Sequence, residues 1–269
     1  MTKVRITLSG VPETLLIPLH CRAVESQRSD AMVKDDRAVE LVNRIDYDFA
    51  GIRYPAADVL FTILRVRQFD RRARAFLAAH PGGTVVSIGC GLDTRFDRVD
   101  DGLVTWYDLD LPEVIALRRE LLAETPRCRS LACSALDPAW MDAVGAAPSP
   151  YLFLAEGVRP YLQAADIRRL VRALQARFPG AELAFDTMTP FMAWLHSFHP
   201  ALRKLHTRLW GMKRGQELEA WSPGIRLLDE WSYFDDPEPR LGGASLLRLV
   251  PFLNRANSIV HYRLGEPAQ

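Results

Sequence analysis

Residues Thr84 to Asp110 read TVVSIGCGLDTRFDRVDDGLVTWYDLD: an apolar strand, a glycine-hinged loop and a second strand that closes on two carboxylates. Thr84 to Ile88 is short, apolar and β-branched, the composition of a strand buried on both faces of a parallel sheet. Gly89 and Gly91 follow at once. Lacking a Cβ, glycine takes a positive φ, so the main chain can turn sharply off the strand tip and lie against a ligand. Leu103 to Tyr107 predicts the next strand, with Asp108 and Asp110 at its carboxyl end. In open α/β sheets ligands bind outside the carboxyl ends of the strands, where an acidic side chain accepts hydrogen bonds from ribose hydroxyls. The stretch therefore predicts a cofactor that contains a ribose.

Which cofactor depends on what the loop lacks. A dinucleotide fingerprint needs a third glycine where helix and strand pack closely, and here GCGLDT places Thr94 in that position. Asp93 adds a negative charge that repels a diphosphate and suits an ammonium group. Both features favour a zwitterionic, phosphate-free nucleoside such as S-adenosylmethionine. An NAD-dependent oxidoreductase stays open as an alternative, because it shares the strand, loop and acid layout, as does a catalytically silent S-adenosylmethionine-binding protein that keeps the fold without turnover. So does a plain turn, since a two-glycine loop after a buried strand is common.

Composition narrows the class. A chain of 269 residues accommodates one α/β domain with an extension. Its formal net charge of +1 carries no polyelectrolyte signature, which argues against nucleic acid as a partner. The basic run Arg65, Arg67, Arg71, Arg72 and Arg74 reads as a solvated helix face. Cys21, Cys90, Cys128 and Cys133 form no CxxC pair and no zinc spacing, so they read as reduced thiols, with Cys90 a small residue in a tight turn. No apolar run is long enough for a membrane span, and MTKVRITLSG lacks a signal-peptide core; the expectation is a cytoplasmic protein.

Periodicity then divides the chain into an N-terminal helical extension, 1–80, and an α/β core, 81–269, interrupted by an aromatic-rich lid insertion at about 187–221. From Asp58 to Ala79, Val59, Ile63, Val66, Phe69, Ala73, Phe76 and Leu77 recur at spacings of three and four, an amphipathic helix stopped by His80, Pro81, Gly82 and Gly83. Pro112 opens another helix, and Ser130 to Cys133 and Tyr151 to Ala155 read as strands, the second followed by Glu156 and Gly157. A helix over Ala164 to Phe178 precedes a strand from Glu182 to Phe185 that ends at Asp186. Arg226 to Phe234 and Ser258 to Leu264 are the last strands, joined by a helix around Ser245 to Asn254 and closing the sheet like a hairpin. Strands alternating with helices predict a largely parallel, three-layer α/β fold.

Four segments in order resemble a known family: IGCGLDTR (Ile88 to Arg95), WYDLDLPEVI (Trp106 to Ile115), SALDPAW (Ser134 to Trp140) and AEGVRPYL (Ala155 to Leu162). They are similar to the leucine carboxyl methyltransferases, and more closely to the bacterial polyketide O-methyltransferase branch. The likeness extends to GVPETLLIPLHCRAVES near the N-terminus and to ELEAWSPGIRLLDEW from residue 217. The resemblance implies a Rossmann-like class I methyltransferase fold with seven strands and S-adenosylmethionine as methyl donor. It also implies site roles. Gly89, with Gly91 in the same loop, approaches the methionine part; Asp110, with Asp108 beside it, holds the ribose; Leu136 and Asp137 contact the adenine. Glu156 binds the ammonium end, and Arg65, within LRV, pairs with the carboxylate, near which Lys34 also falls.

Each assignment has a plainer counterpart. Asp137 before Pro138 is also a turn former, Glu156 also a helix cap, and Arg65 also a surface arginine. Arg159 departs from the family's apolar residue before the proline; it faces an anionic acceptor or solvent. A carboxylate acceptor is ionised at neutral pH and needs no base, whereas a hydroxyl does, and His196 and His199 in the aromatic insertion are then the candidates. No metal site is expected from two histidines on a helix without a carboxylate partner. The short aromatic insertion suits a small-molecule acceptor better than the protein tail methylated by the eukaryotic branch.

Overall fold

The computed structural model describes residues 3–6, 12–51, 55–158, 161–198 and 209–266. Seven strands form one sheet in the order β5-β4-β3-β6-β7-β9-β8. They are β3 (Thr84–Ile88), β4 (Thr105–Asp110), β5 (Cys128–Ala132), β6 (Tyr151–Ala155), β7 (Ala181–Met188), β8 (Ile225–Ser232) and β9 (Asn257–Leu264). Strands β3 to β7 run parallel, whereas β9 is antiparallel to both β7 and β8. The chain moves outward from β3 through β4 to β5, then crosses back to lay β6 on the other flank of β3. That reversal opens a crevice at the carboxyl ends of β3 and β6, the place where doubly wound sheets bind ligands.

Alternation along each strand feeds two core layers. Val85, Leu152 and Leu154 meet Phe69, Ala73 and Phe76 of helix α3 (Ala56–Ala79) on one face. On the other, Val86 and Phe153 meet Trp140 of α6 (Ala139–Gly145) and Leu170 and Leu174 of α7 (Ala164–Arg177). Leu174 is fully buried, and truncation of such a side chain to alanine costs about 2–5 kcal/mol. A capping box between Gln163 and Asp166 starts α7 where the periodicity places it.

The N-terminal region contains α1 (Pro12–Ser26), α2 (Asp36–Arg44) and a two-stranded parallel pair, β1 (Val4–Arg5) with β2 (Ile45–Asp46). Leu16, Leu19, Leu41 and Ile45 pack on Leu92 of the glycine loop and on Leu117 and Leu121 of α5 (Pro112–Leu121). Helices α1 and α2 therefore lie directly against the loop that follows β3.

Several boundaries differ from the sequence reading for identifiable reasons. Leu103 is 61% exposed, because Asp101 Oδ1 accepts the N–H groups of Leu103 and Val104 and holds them in a turn. Strand β4 therefore starts later and runs on to Asp110, which moves Asp108 inside the strand, opposite Ser87. Likewise β7 continues to Met188 because β9 pairs with it along its whole length, so Asp186 lies within the strand and the insertion starts only at Thr189. The predicted helix around Ser245 is instead a 3-10 segment, Pro239–Leu249, broken at Gly242 and followed by the short helix Pro251–Asn254.

Candidate functional site

The loop after β3 is held by main-chain bonds. Gly89 and Cys90 both donate to Leu109 O, at 2.7 and 3.1 Å, which swings the chain across the tip of β4. Gly89 and Gly91 have φ of 65° and 51°. A Cβ on Gly89 would lie 2.5 Å from Val158 Cγ2, and one on Gly91 2.7 Å from Leu15 Cδ1, so neither position admits a side chain without displacement. Asp110 closes the loop from the next strand: Oδ2 accepts from Gly91 N at 2.7 Å and Oδ1 from Leu111 N at 2.8 Å. Each carboxylate oxygen has a second lone pair, so Asp110 can still receive a ribose diol. Burial pushes its carboxyl above the ordinary aspartate value, and the two N–H bonds oppose that rise.

Asp108 is placed differently from Asp110. It is buried, accepting from Arg118 Nη2 at 2.5 Å and from Trp106 Nε1 at 2.9 Å. Arg118 in turn donates to the carbonyls of Gly91 and Asp93, at 3.1 and 2.6 Å. Asp108 thus braces the glycine loop from behind through Arg118. Beyond β5, Leu136 is half-buried against the core, and Asp137 is exposed with Oδ1 accepting from Ala139 N at 3.0 Å, so its turn-forming bond is present at the start of α6.

The opposite side of the crevice is built from charges. Glu156, at the tip of β6, accepts from Arg65 Nε at 2.9 Å through Oε1 and from Arg95 Nη2 at 2.5 Å through Oε2. Gly157 N donates to Asp186 Oδ1 at 2.6 Å, and Asp186 Oδ2 stands 3.7 Å from Arg65 Nη1. From Arg95 the pairs continue inward to Asp93 and Asp70, on to Arg98, then to Asp35 at the N-cap of α2, and finally to Arg22 of α1. Burial alone would raise the Asp93 carboxyl, but Arg95 and then Arg98 outweigh it and hold it well below the usual carboxylate range. Asp35 is lowered in the same way, burial being overcome by Arg22 and Arg98. The Arg65 guanidinium is held charged, since Glu156 and Asp186 more than offset its desolvation.

Lys34 stands apart from this network. It is exposed, and its Nζ donates to Ser26 O at 2.8 Å and to Arg28 O at 3.2 Å, at the end of α1. Arg65, which the sequence left between a surface and a site reading, is turned inward on Glu156. Of the catalytic candidates, His196 is half-buried in the last turn of α8 (Pro190–His196), while Arg159 and His199 lie outside the described residues. The residues that sequence reasoning missed are Arg95, Asp70 and Asp186. Asp70 carried a usable signal, being a charge set between Phe69 and Ala73 on the apolar stripe of α3. Asp186 carried another, as the only charge in the run AFDTM.

The donor set decides between the two cofactor classes. Arg22, Arg95, Arg98 and Arg118, the guanidiniums in contact with the glycine loop, are all engaged by carboxylates, so none is presented to a diphosphate. Across the connected pairs five carboxylates, those of Asp35, Asp70, Asp93, Glu156 and Asp186, face the four guanidiniums of Arg22, Arg65, Arg95 and Arg98. The network is one positive charge short. A nucleoside bearing an amino-acid end and a sulfonium, with a net charge of +1, fits that balance; a dinucleotide does not.

Comparison with known proteins gives the same answer. Residues 16–175 match the leucine carboxyl methyltransferase family. The tetracenomycin polyketide synthesis O-methyltransferase TcmP of Streptomyces glaucescens is 34% identical over 267 residues, covering 96% of this chain and 98% of its own. The S-adenosyl-L-methionine-dependent methyltransferase dpfgK of Gibberella zeae is 30% identical over 282 residues, with 94% of each chain covered. Among solved structures, a DUF574 family protein from Streptomyces avermitilis shares the fold, with a TM-score of 0.59 at 18% identity over 93% of this chain and 97% of its own. These relatives give the oxidoreductase alternative no support.

Proposed function

The chain belongs to the leucine carboxyl methyltransferase family and is an S-adenosylmethionine-dependent methyltransferase, and from that premise we propose that it methylates a carboxylate or hydroxyl oxygen of an aromatic small molecule. On this reading Asp110 holds the ribose hydroxyls, and Leu136 and Asp137 border the adenine. Arg65 meets the cofactor carboxylate, Glu156 its ammonium, and Gly89 and Gly91 let the main chain come close. When bound, the cofactor supplies a methyl group already activated by a sulfonium. The chain's own tasks are then to align the acceptor oxygen, exclude water and keep the charges of the site balanced.

The observation that carries the acceptor class is the aromatic surface on α8. This helix leaves β7 at the carboxyl end of the sheet, the end that also holds Asp110 and Glu156. Phe191, Trp194 and Phe198 are exposed there; Phe191 packs on Phe252 at 5.3 Å and Trp194 on Phe198 at 5.2 Å between ring centroids. Apolar aromatic walls with few polar groups suit a flat, apolar acceptor. The name of the Streptomyces relative, a polyketide synthesis O-methyltransferase, agrees with such a substrate. If the accepting oxygen is a carboxylate, the chain needs no base; if it is a phenol, His196 is the candidate base among the described residues.

The test is to incubate the protein with methyl-labelled S-adenosylmethionine and a panel of aromatic acids and phenols, then identify the labelled product. The expected result is label on an oxygen of a small aromatic compound. Mild alkali then separates the two chemistries, releasing methanol from an ester and sparing an aryl ether. Label found on protein alone would reject the acceptor class.

A further inference from the structure

We propose that Arg95 is the positioning residue for the amino-acid end of the cofactor, acting through Glu156; the inference rests on the cofactor reading above. All three guanidinium nitrogens of Arg95 are spent on carboxylates from different elements. Nε is 2.8 Å from Asp70 Oδ1 on α3, Nη1 is 2.5 Å from Asp93 Oδ2 in the glycine loop, and Nη2 is 2.5 Å from Glu156 Oε2 at the tip of β6. A guanidinium is planar and presents its donors in a fixed fork, so engaging two of these partners sets the direction offered to the third. Arg95 therefore ties the loop after β3 to the tip of β6 through one rigid group.

Glu156 is held by two arginines that differ in depth. The Arg65 side chain is 20% exposed, whereas that of Arg95 is 1% exposed. Arg65 sits on the solvent side of the pair, and Arg95 is the anchored member below it. An unanchored glutamate samples several rotamers and loses that freedom when a ligand fixes it. With Oε2 anchored by Arg95, that loss is already incurred in the folded protein, and the carboxylate is pre-aligned for a cation. The Asp93 contact adds register, because the same guanidinium sets Glu156 relative to the loop that Asp110 closes. Arg95 does not touch the cofactor on this account; it decides where Glu156 stands.

A role through Glu156 and a merely structural role predict different ligand dependence. S-adenosylhomocysteine carries the amino-acid end, and methylthioadenosine lacks it while keeping the nucleoside. In the full chain, Arg95→Lys keeps the charge and loses the fork, and calorimetry with both ligands should show S-adenosylhomocysteine weakened about tenfold and methylthioadenosine unchanged within about twofold. Glu156→Gln should also weaken S-adenosylhomocysteine, and Arg95→Lys added to Glu156→Gln should cost little more, since the two changes act on one interaction. Equal weakening of both ligands by Arg95→Lys overturns the proposal in favour of general destabilisation, and unchanged affinity for both overturns it outright. If Arg95→Lys does not fold, crystal structures of the wild-type chain free and with S-adenosylhomocysteine must show the Glu156 carboxylate in one rotamer on Arg95 in both, or the proposal fails. Absence of binding by the wild-type chain to either ligand rejects the cofactor reading itself.

Discussion

The two sides of the crevice are made of different materials. On the Asp110 side the contacts are main-chain N–H groups and one carboxylate, all within the segment from Gly89 to Leu111. On the Glu156 side they are side-chain charges from α1, the N-cap of α2, α3, the glycine loop, the short helix Arg95–Val99, the tip of β6 and β7, joined pair by pair. The difference separates binding from stability. A carboxylate in the first region ties only its own loop and keeps acceptor positions open for a ligand, whereas a carboxylate in the second joins several elements whether or not a ligand is bound.

Changes in the two regions should therefore report in different measurements. The largest effect is expected from Asp70→Ala, which removes the shared partner of Arg95 and Arg98 and leaves two buried guanidiniums under-compensated. Urea unfolding should register a loss of about 3–5 kcal/mol. Asp110→Ala removes two main-chain bonds of the loop and should cost only about 1–2 kcal/mol in unfolding, while weakening S-adenosylhomocysteine by about 2 kcal/mol, roughly thirtyfold, in calorimetry. If Asp110→Ala unfolds the protein as much as Asp70→Ala does, the division fails.

Acid gives a milder version of the same contrast. Asp93 and Asp35 have depressed pKa values, so their contribution to stability is present above the unfolded value of about 3.9 and is lost only as pH falls through the lower folded values. Asp110 has the opposite sign: burial raises its pKa, so it protonates before Asp93 and Asp35 on acidification, and on the proposed reading it is the ionised form that would accept from ribose hydroxyls. On acidification, cofactor affinity should start to decline before the melting temperature does. A melting temperature that falls in step with affinity would contradict this. The smallest effect belongs to Lys34→Ala, expected to shift cofactor affinity by less than about threefold, because Nζ already serves the carbonyls of Ser26 and Arg28.

The same contrast explains what could be read from the sequence. Gly91 and Asp110 are 19 residues apart and joined by one short helix, a turn and one strand, so composition and local order disclosed that side of the site. Arg65 and Arg95 reach Glu156 across 91 and 61 residues, and no periodicity encodes such pairs; only the family resemblance brought Arg65 and Glu156 together. Arg95 stayed hidden because an arginine after a glycine loop looks like a solvated helix start, and its burial depends on α3 and β6 arriving from elsewhere. The fold was legible for a related reason. The stripe on α3 and the apolar runs of β3 and β6 are local patterns, whereas the ends of β4 and β7 were displaced by their partners, Asp101 in a turn and the full length of β9.

On the proposed reading one crevice, at the carboxyl ends of β3 and β6, takes the nucleoside on its main-chain side and the amino-acid end on its charged side. A crystal structure of the chain with S-adenosylhomocysteine tests this directly. The expected structure has the ribose hydroxyls on Asp110 and the ammonium on Glu156, with Arg95 still bound to Oε2. A ligand in the reverse orientation, or one bound away from these two carboxylates, would contradict it.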